Sequence, residues 1–74
     1  MDDKLQRIFK NCFGIESLSD NLSIDDIPEW DSMRHIGLIL EIEKEFSVSL
    51  SIDDSIEMIS LKAIKEILNE HEIY

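Results

Sequence analysis

The chain is poor in the residues that build disulfide-rich, metal-bound or sheet-forming domains. Its 74 residues include one cysteine, one proline, two glycines and few aromatic side chains. A single cysteine excludes an internal disulfide, and no Cys/His spacing resembles a zinc site. Scarce glycine and proline beside abundant leucine and isoleucine favour helices over a sheet. We expect one domain, 1–74, whose stability depends on its apolar core.

Long apolar runs and a basic leader are also missing. No run approaches the roughly 18 residues that a membrane span needs. The first residues, Met1-Asp2-Asp3-Lys4, do not resemble a signal peptide. These absences predict a soluble, cytoplasmic protein that does not bind membranes. We also expect a monomer.

Basic residues are scarce, with 7 Lys and Arg against 17 Asp and Glu. The whole net charge of −10 lies in residues 14–60, where Arg34 and Lys44 are the only basic residues beside twelve acidic ones. Such a field repels nucleic acid and attracts basic protein surfaces. The sequence therefore predicts no nucleic-acid binding. A simpler alternative is that the charge only keeps a small protein soluble.

Apolar spacing predicts three substantial helices and one short one. The first covers about residues 3–13, and Gly14 is placed to end it. The second covers Ser32 to about residue 46. A short third helix is predicted to start at Asp53, and a last helix follows with Ser60 as its cap. The predicted fold is an all-α, small four-helix bundle with a long first loop.

Two connecting segments are predicted between these helices. Residues 14–31 follow no period but carry scattered apolar groups, which indicates a loop packed onto the helices and including a short helical turn. Val48, Leu50 and Ile52 alternate, which favours an extended connector before the third helix. That helix is predicted to carry Ile56, Met58 and Ile59.

The second helix carries two apolar stripes. One consists of Leu38, Ile39, Ile42 and Phe46, with His35 inside its arc, and the other of Met33, Ile36 and Leu40, with Glu43 between the two. Two stripes suggest that one builds the core while the other stays exposed for a partner. The alternative is a central helix that is buried almost all round.

Catalytic and metal sites are poorly supported. Ser32 and His35 are neighbours on a helix, but no glycine-rich nucleophile turn accompanies them. His35 fits a packed histidine, and Cys12 fits a buried small hydrophobic residue. The acidic pairs lack the calcium-loop spacing with its central glycine. We expect neither an enzyme nor a specific metal site.

Ser32 is the residue best placed for a covalent modification. A helix start offers unpaired backbone N–H groups and the positive end of the helix dipole, so it tolerates an attached phosphate. Asp31-Ser32 also has a plain explanation, because either residue caps a helix well. In this setting we interpret Ser32 as a tether for a cofactor.

The chain resembles the acyl carrier protein family over essentially its full length. The residues that carry this resemblance, at the spacing of the family, are Gly14-Ile15, Asp31-Ser32-Met33, Leu38, Ile39, Ile42, Glu43, Glu45, Phe46, Val48-Ser49-Leu50 and Leu61. The resemblance implies that Ser32 carries 4′-phosphopantetheine through a phosphodiester, installed from coenzyme A by a separate phosphopantetheinyl transferase. The thiol of that cofactor would hold an acyl group as a thioester.

The same resemblance implies a partner-binding face. Positions matching Met33, Ile36 and Leu40 meet acyl-loading and acyl-processing enzymes in the family, with Glu43 as the acidic edge. Asp31 and the acidic loop would attract the basic docking surfaces of these partners.

Several positions depart from fatty-acid-type carriers. Those carriers are usually acidic at the positions of Arg34, Gly37 and Lys44. Trp30 and His35 resemble the W-D-S-x-x-H variant of stand-alone carriers in specialised pathways, so we expect a dedicated biosynthetic role. Two alternatives stay open: an aminoacyl or other small-acyl carrier, and an acidic helical interaction module without a cofactor.

Overall fold

The computed structural model describes residues 2–73, and side chains from residue 3. Within that range the chain forms α1 (Asp2–Phe13), a 3-10 turn (Ile24–Asp26), α2 (Ser32–Phe46), α3 (Ile52–Glu57) and α4 (Leu61–Glu70). The predicted all-α class and the small four-helix bundle with a long first loop are confirmed. No helix among residues 2–73 combines the length and apolar character needed to cross a membrane.

Helix α1 ends at the predicted glycine. Gly14 adopts a left-handed φ of 71°, a conformation that costs glycine little, and its N–H donates to the Lys10 carbonyl at 2.8 Å. The buried face of α1 consists of Leu5, Ile8, Phe9 and Phe13. Cys12 is half-buried against this core, in agreement with a packing role.

Helix α2 has the predicted bounds because both of its ends are capped. Asp31 is the N-cap, and its Oδ1 accepts the Arg34 N–H at 2.8 Å. Ser47 ends the helix in the left-handed region, with φ 52°, and donates its N–H to the Glu43 carbonyl. The residues buried from this helix are those of the predicted core stripe, Leu38, Ile39, Ile42 and Phe46.

Helix α3 starts earlier than predicted. Ser51 is its N-cap and accepts the Asp54 N–H at 3.0 Å, so the helix begins at Ile52 and not at Asp53. Ile52 was therefore wrongly assigned to the extended connector, and its side chain is 79% exposed. Met58 and Ile59 follow the helix, whose last residue is Glu57. Six residues are too few for apolar spacing to locate the ends, which the Ser51–Asp54 capping box sets.

Helix α4 begins and packs as predicted. The Ser60 hydroxyl oxygen accepts the Ala63 N–H at 3.1 Å, and the buried face consists of Leu61, Ile64, Ile67 and Leu68. His71 follows at the C-cap, where its Nε2 donates to Asp54 Oδ2 at 2.9 Å. This contact ties the end of α4 to the first turn of α3.

The long first loop packs onto the helices, as predicted. At its start, Gln6 of α1 donates to the carbonyls of Ile15 and Glu16. Further along, the Ile24 N–H donates to the Ile59 carbonyl and the Leu61 N–H donates to the Leu22 carbonyl, both at 2.9 Å. These bonds join the loop to the segment between α3 and α4, and so bring Ile24 beside Ile59.

Trp30 anchors the end of this loop in the core. Its side chain is 3% exposed and stacks on Phe13, with ring centroids 5.1 Å apart. The Phe9 ring meets it edge-to-face at 5.7 Å. This cluster packs the end of the loop onto the bundle two residues before Ser32.

Candidate functional site

Ser32 is the first residue of α2 and is exposed. Because Asp31 is the N-cap, the Ser32 hydroxyl is not needed to cap the helix. The first N–H groups of a helix have no partner within it, and one of them, from Arg34, is satisfied by Asp31 Oδ1. A phosphate on Ser32 Oγ would lie beside the remaining donors and the positive end of the dipole. The site therefore fits a phosphodiester.

The second stripe of α2 lies outside the core. Met33, Ile36 and Leu40 are 82%, 62% and 60% exposed. The alternative that α2 is buried almost all round is therefore wrong. Ile56 and Ile59 add further exposed apolar surface from α3 and the segment after it.

An open groove of about 520 Å³ adjoins Ser32. We call it the Ser32 groove, and its lining consists of Ile24, Trp30, Asp31, Ser32, His35, Ile36, Ile56 and Ile59. The loop, α2, α3 and the segment after α3 all contribute to this lining. The groove is largely apolar, and Ser32 is one of its few polar lining residues.

Two lining residues of this groove, Trp30 and His35, belong to a hydrogen-bonded bridge from the loop to α3. The Trp30 Nε1–H donates to His35 Nδ1 at 2.9 Å. Because an indole N–H can only donate, the proton of the His35 ring is on Nε2, which donates to the Ser55 carbonyl at 2.7 Å. The Trp30 and His35 rings also stack, with centroids 6.0 Å apart. We call this the Trp30–His35–Ser55 bridge, and it places His35 in a packing role, as the sequence predicted.

A smaller groove of about 170 Å³ lies farther along α2. We call it the lower groove, and its lining consists of His35, Ile36, Ile39, Leu40 and Ser55. The two grooves share His35 and Ile36, while Ser55 lines only the lower one. His35, which donates to the Ser55 carbonyl, is therefore a wall of both grooves.

The remaining predicted site residues occupy different settings. Asp31 is exposed at the head of α2, beside Ser32. Glu43 is half-buried, and its Oε2 accepts the Leu50 N–H at 2.9 Å, which holds the connector after α2. Arg34 extends toward α1, where its Nη1 lies 3.5 Å from the Cys12 carbonyl oxygen.

Cys12 carries a second nucleophilic side chain, a free thiol. Burial raises the pKa of the Cys12 thiol, the charge of Glu41 raises it further, and Arg34 partly opposes both effects. A raised pKa leaves less of the reactive thiolate. Among residues 2–73, no group of three His, Cys, Asp or Glu side chains lies close enough together to hold a metal ion.

Sequence reasoning missed the contributions of Ile24, Ile56 and Ser55 to this site. Ile24 is placed in the groove by a backbone hydrogen bond to Ile59, which is distant in the sequence. Such a bond produces no local sequence pattern. Ile52, Ile56 and Ile59 do follow the spacing of one helical face, which could have indicated a shared surface. That spacing does not reveal whether the face is buried.

No protein-family model matches the chain, and searches of curated proteins and of solved structures likewise found no match. These comparisons therefore assign no family, and function is inferred from Ser32 and its surroundings.

Proposed function

We propose that this protein is a carrier that holds an acyl group as a thioester on 4′-phosphopantetheine attached to Ser32. The observation that carries the proposal is the exposed Ser32 at the start of the 15-residue helix α2, where it lines a largely apolar groove. The resemblance of residues 14–61 to acyl carriers agrees with this position.

The attachment chemistry is consistent with the site. The Ser32 Oγ forms a phosphodiester as the phosphoanhydride of coenzyme A breaks, the hydroxyl proton is lost, and adenosine 3′,5′-bisphosphate leaves. An attached arm raises the effective concentration of its cargo at any enzyme that binds the carrier. The described residues supply presentation, while the thiol of the arm supplies the reactivity.

Partner recognition is proposed along α2. Met33, Ile36 and Leu40 offer an exposed apolar stripe that starts beside the attachment point. Asp31 lies at the start of this stripe, and residues 14–60 carry the whole net charge of −10. This combination suits enzymes whose docking surfaces are apolar and rimmed by basic side chains. The Trp30 and His35 variant favours service in a specialised pathway over bulk fatty acid synthesis.

Intact-protein mass spectrometry tests the proposal. Wild type, Ser32→Ala and Ser49→Ala are incubated with coenzyme A and a broad-specificity phosphopantetheinyl transferase. Ser49 is an exposed serine in the connector between α2 and α3 and is not the first residue of a helix, so it is a matched control. Wild type and Ser49→Ala should each gain one phosphopantetheine, and Ser32→Ala none. Absence of any gain in folded wild type with two different transferases would refute the proposal.

A second candidate is an interaction module without a cofactor, which the exposed stripe of α2 favours. In that case Ser32→Ala would retain partner binding, whereas Ile36→Glu would abolish it by placing a charge in the apolar stripe. A carrier requires Ser32 for its activity, so the same pair of variants separates the two candidates.

A further inference from the structure

One side chain of α2 lines both grooves and reaches α3. His35 lies on α2, and its Nε2 donates to the Ser55 carbonyl of α3 at 2.7 Å. Ile36 also lines both grooves, while Ser55 lines only the lower one. A chain that runs from Ser32 toward Ile39 therefore passes His35 and Ile36, the two residues that the grooves share.

We propose that His35 is a specificity-determining residue that limits the cargo to a short, uncharged, apolar acyl group confined to the Ser32 groove. This inference rests on the proposed carrier function and names the cargo class for that site. A longer acyl chain would extend over the protein surface into water, because the Trp30–His35–Ser55 bridge blocks its entry into the lower groove.

The lining of the Ser32 groove supports an uncharged apolar cargo. Ile24, Ile36 and Ile56 present branched aliphatic surface to it. Of the described lining residues, Asp31 alone carries a full charge, and its Oδ1 already accepts the Arg34 N–H. A cargo carboxylate would meet no cation there and would be repelled by Asp31, so burial in the groove would leave that charge without a partner.

The bridge is held firmly at both ends. Trp30 is buried and stacked on Phe13, so its N–H reaches His35 from a fixed position. The Ser55 carbonyl also accepts the Met58 N–H at 3.3 Å, and Met58 is fully buried. Moving the imidazole aside would leave the buried indole N–H without its acceptor, which is costly. A cargo chain offers no hydrogen-bonding group to replace it.

The test attaches chains chemically, so that it does not depend on a transferase. Ser32→Cys is prepared in a Cys12→Ala background and treated with alkyl methanethiosulfonates of short, medium and long straight chains. Isoleucine methyl NMR spectra then report the two grooves separately. Ile56 lines only the Ser32 groove, and Ile39, which is 9% exposed, lines only the lower one.

Two further variants are compared in the same background. His35→Ala removes the bridge, and His35→Val provides a second version should the alanine protein not fold. His71→Ala is the matched control, because it also removes a histidine contact to α3, at Asp54, without lining either groove.

In the parent protein and in His71→Ala, every chain should shift the Ile56 methyl resonance and leave Ile39 unchanged. In the His35 variants, the long chain should also shift Ile39, while the short chain should not. The proposal is overturned if the long chain shifts Ile39 in the parent protein, or leaves Ile39 unchanged in a folded His35 variant. Both outcomes are independent of whether Ser32 accepts phosphopantetheine, which the mass measurement decides separately.

Discussion

Breaking the hydrogen bond between Trp30 and His35 should show how strongly the end of the first loop is coupled to the start of α2. The perturbation is a double-mutant cycle of Trp30→Phe and His35→Ala. The hydrogen bond between the two side chains is 2.9 Å long, and the indole is almost completely buried. Each single substitution removes this bond but leaves a different partner unpaired.

The expected magnitudes follow from burial. Trp30→Phe loses part of a buried ring, at about 1–1.5 kcal/mol, and one hydrogen bond, at about 1 kcal/mol. His35→Ala should cost about 2 kcal/mol, because the buried indole N–H loses its acceptor, while the opened groove lets water reach the Ser55 carbonyl. Once Trp30→Phe has removed the N–H, His35→Ala no longer leaves it unpaired. The double variant should therefore be more stable than additivity predicts, by about 1 kcal/mol.

Urea unfolding of the four proteins measures these values. Far-ultraviolet ellipticity is the suitable probe, since Trp30 is the sole tryptophan and Trp30→Phe removes the fluorescence signal. If the two single costs add to within about 0.3 kcal/mol of the double variant, the two residues are not coupled and the bridge does not act as described.

Four further predictions concern single sites. Asp54→Asn should lower stability at neutral pH, because a hydrogen bond from His71 lowers the pKa of Asp54 below its ordinary 3.8. The contribution of that carboxylate is present above pH 3.8 and disappears as the pH falls through the lowered pKa, so the difference from wild type should shrink in acid. A difference in urea-unfolding stability that stays constant from pH 7 into acid would argue against this. Gly37→Ala should stabilise by about 1 kcal/mol, since the added Cβ meets open space within a helix. Gly14→Ala should instead destabilise by about 1 kcal/mol, because φ is 71° there, and thermal unfolding that ranks the two variants the other way would contradict both assignments. The Cys12 thiol should react more slowly with a disulfide reagent in the folded protein than in urea, because burial raises its pKa. Equal reaction rates of Cys12 in the folded protein and in urea would contradict this prediction.

The long helices could be predicted because their signals are local. The cap at Asp31 and the apolar spacing through Phe46 define α2 without any tertiary contact. The stop at Gly14 and the cap at Ser60 have the same character. Helix α3 is different, because six residues with no buried side chain are too few for apolar spacing to locate where the helix begins. Its start depends on the Ser51–Asp54 capping box, which the apolar pattern does not reveal.

The candidate site also has one part that local sequence predicts and another part that it does not. The position of Ser32 at a helix start followed from its neighbours in sequence. The groove beside Ser32 could not be predicted in this way, because Ile24 and Ile56, which both line it, are 32 residues apart in the sequence. They are brought to the same groove by backbone hydrogen bonds between the loop and the segment after α3. The exposure of Ile36 was also open, since apolar spacing defines a face but not what covers it.

The sequence by itself determined the helical class, the acidic field, the ends of α2 and the placement of Ser32 at its head. Each of these depends on interactions within one or two turns of chain, or on composition alone. Only the tertiary structure decided that the stripe of Ile36 stays exposed and that His35 bridges Trp30 and Ser55. Such contacts depend on how segments far apart in sequence pack together, and that packing is a property of the whole core and not of any local pattern.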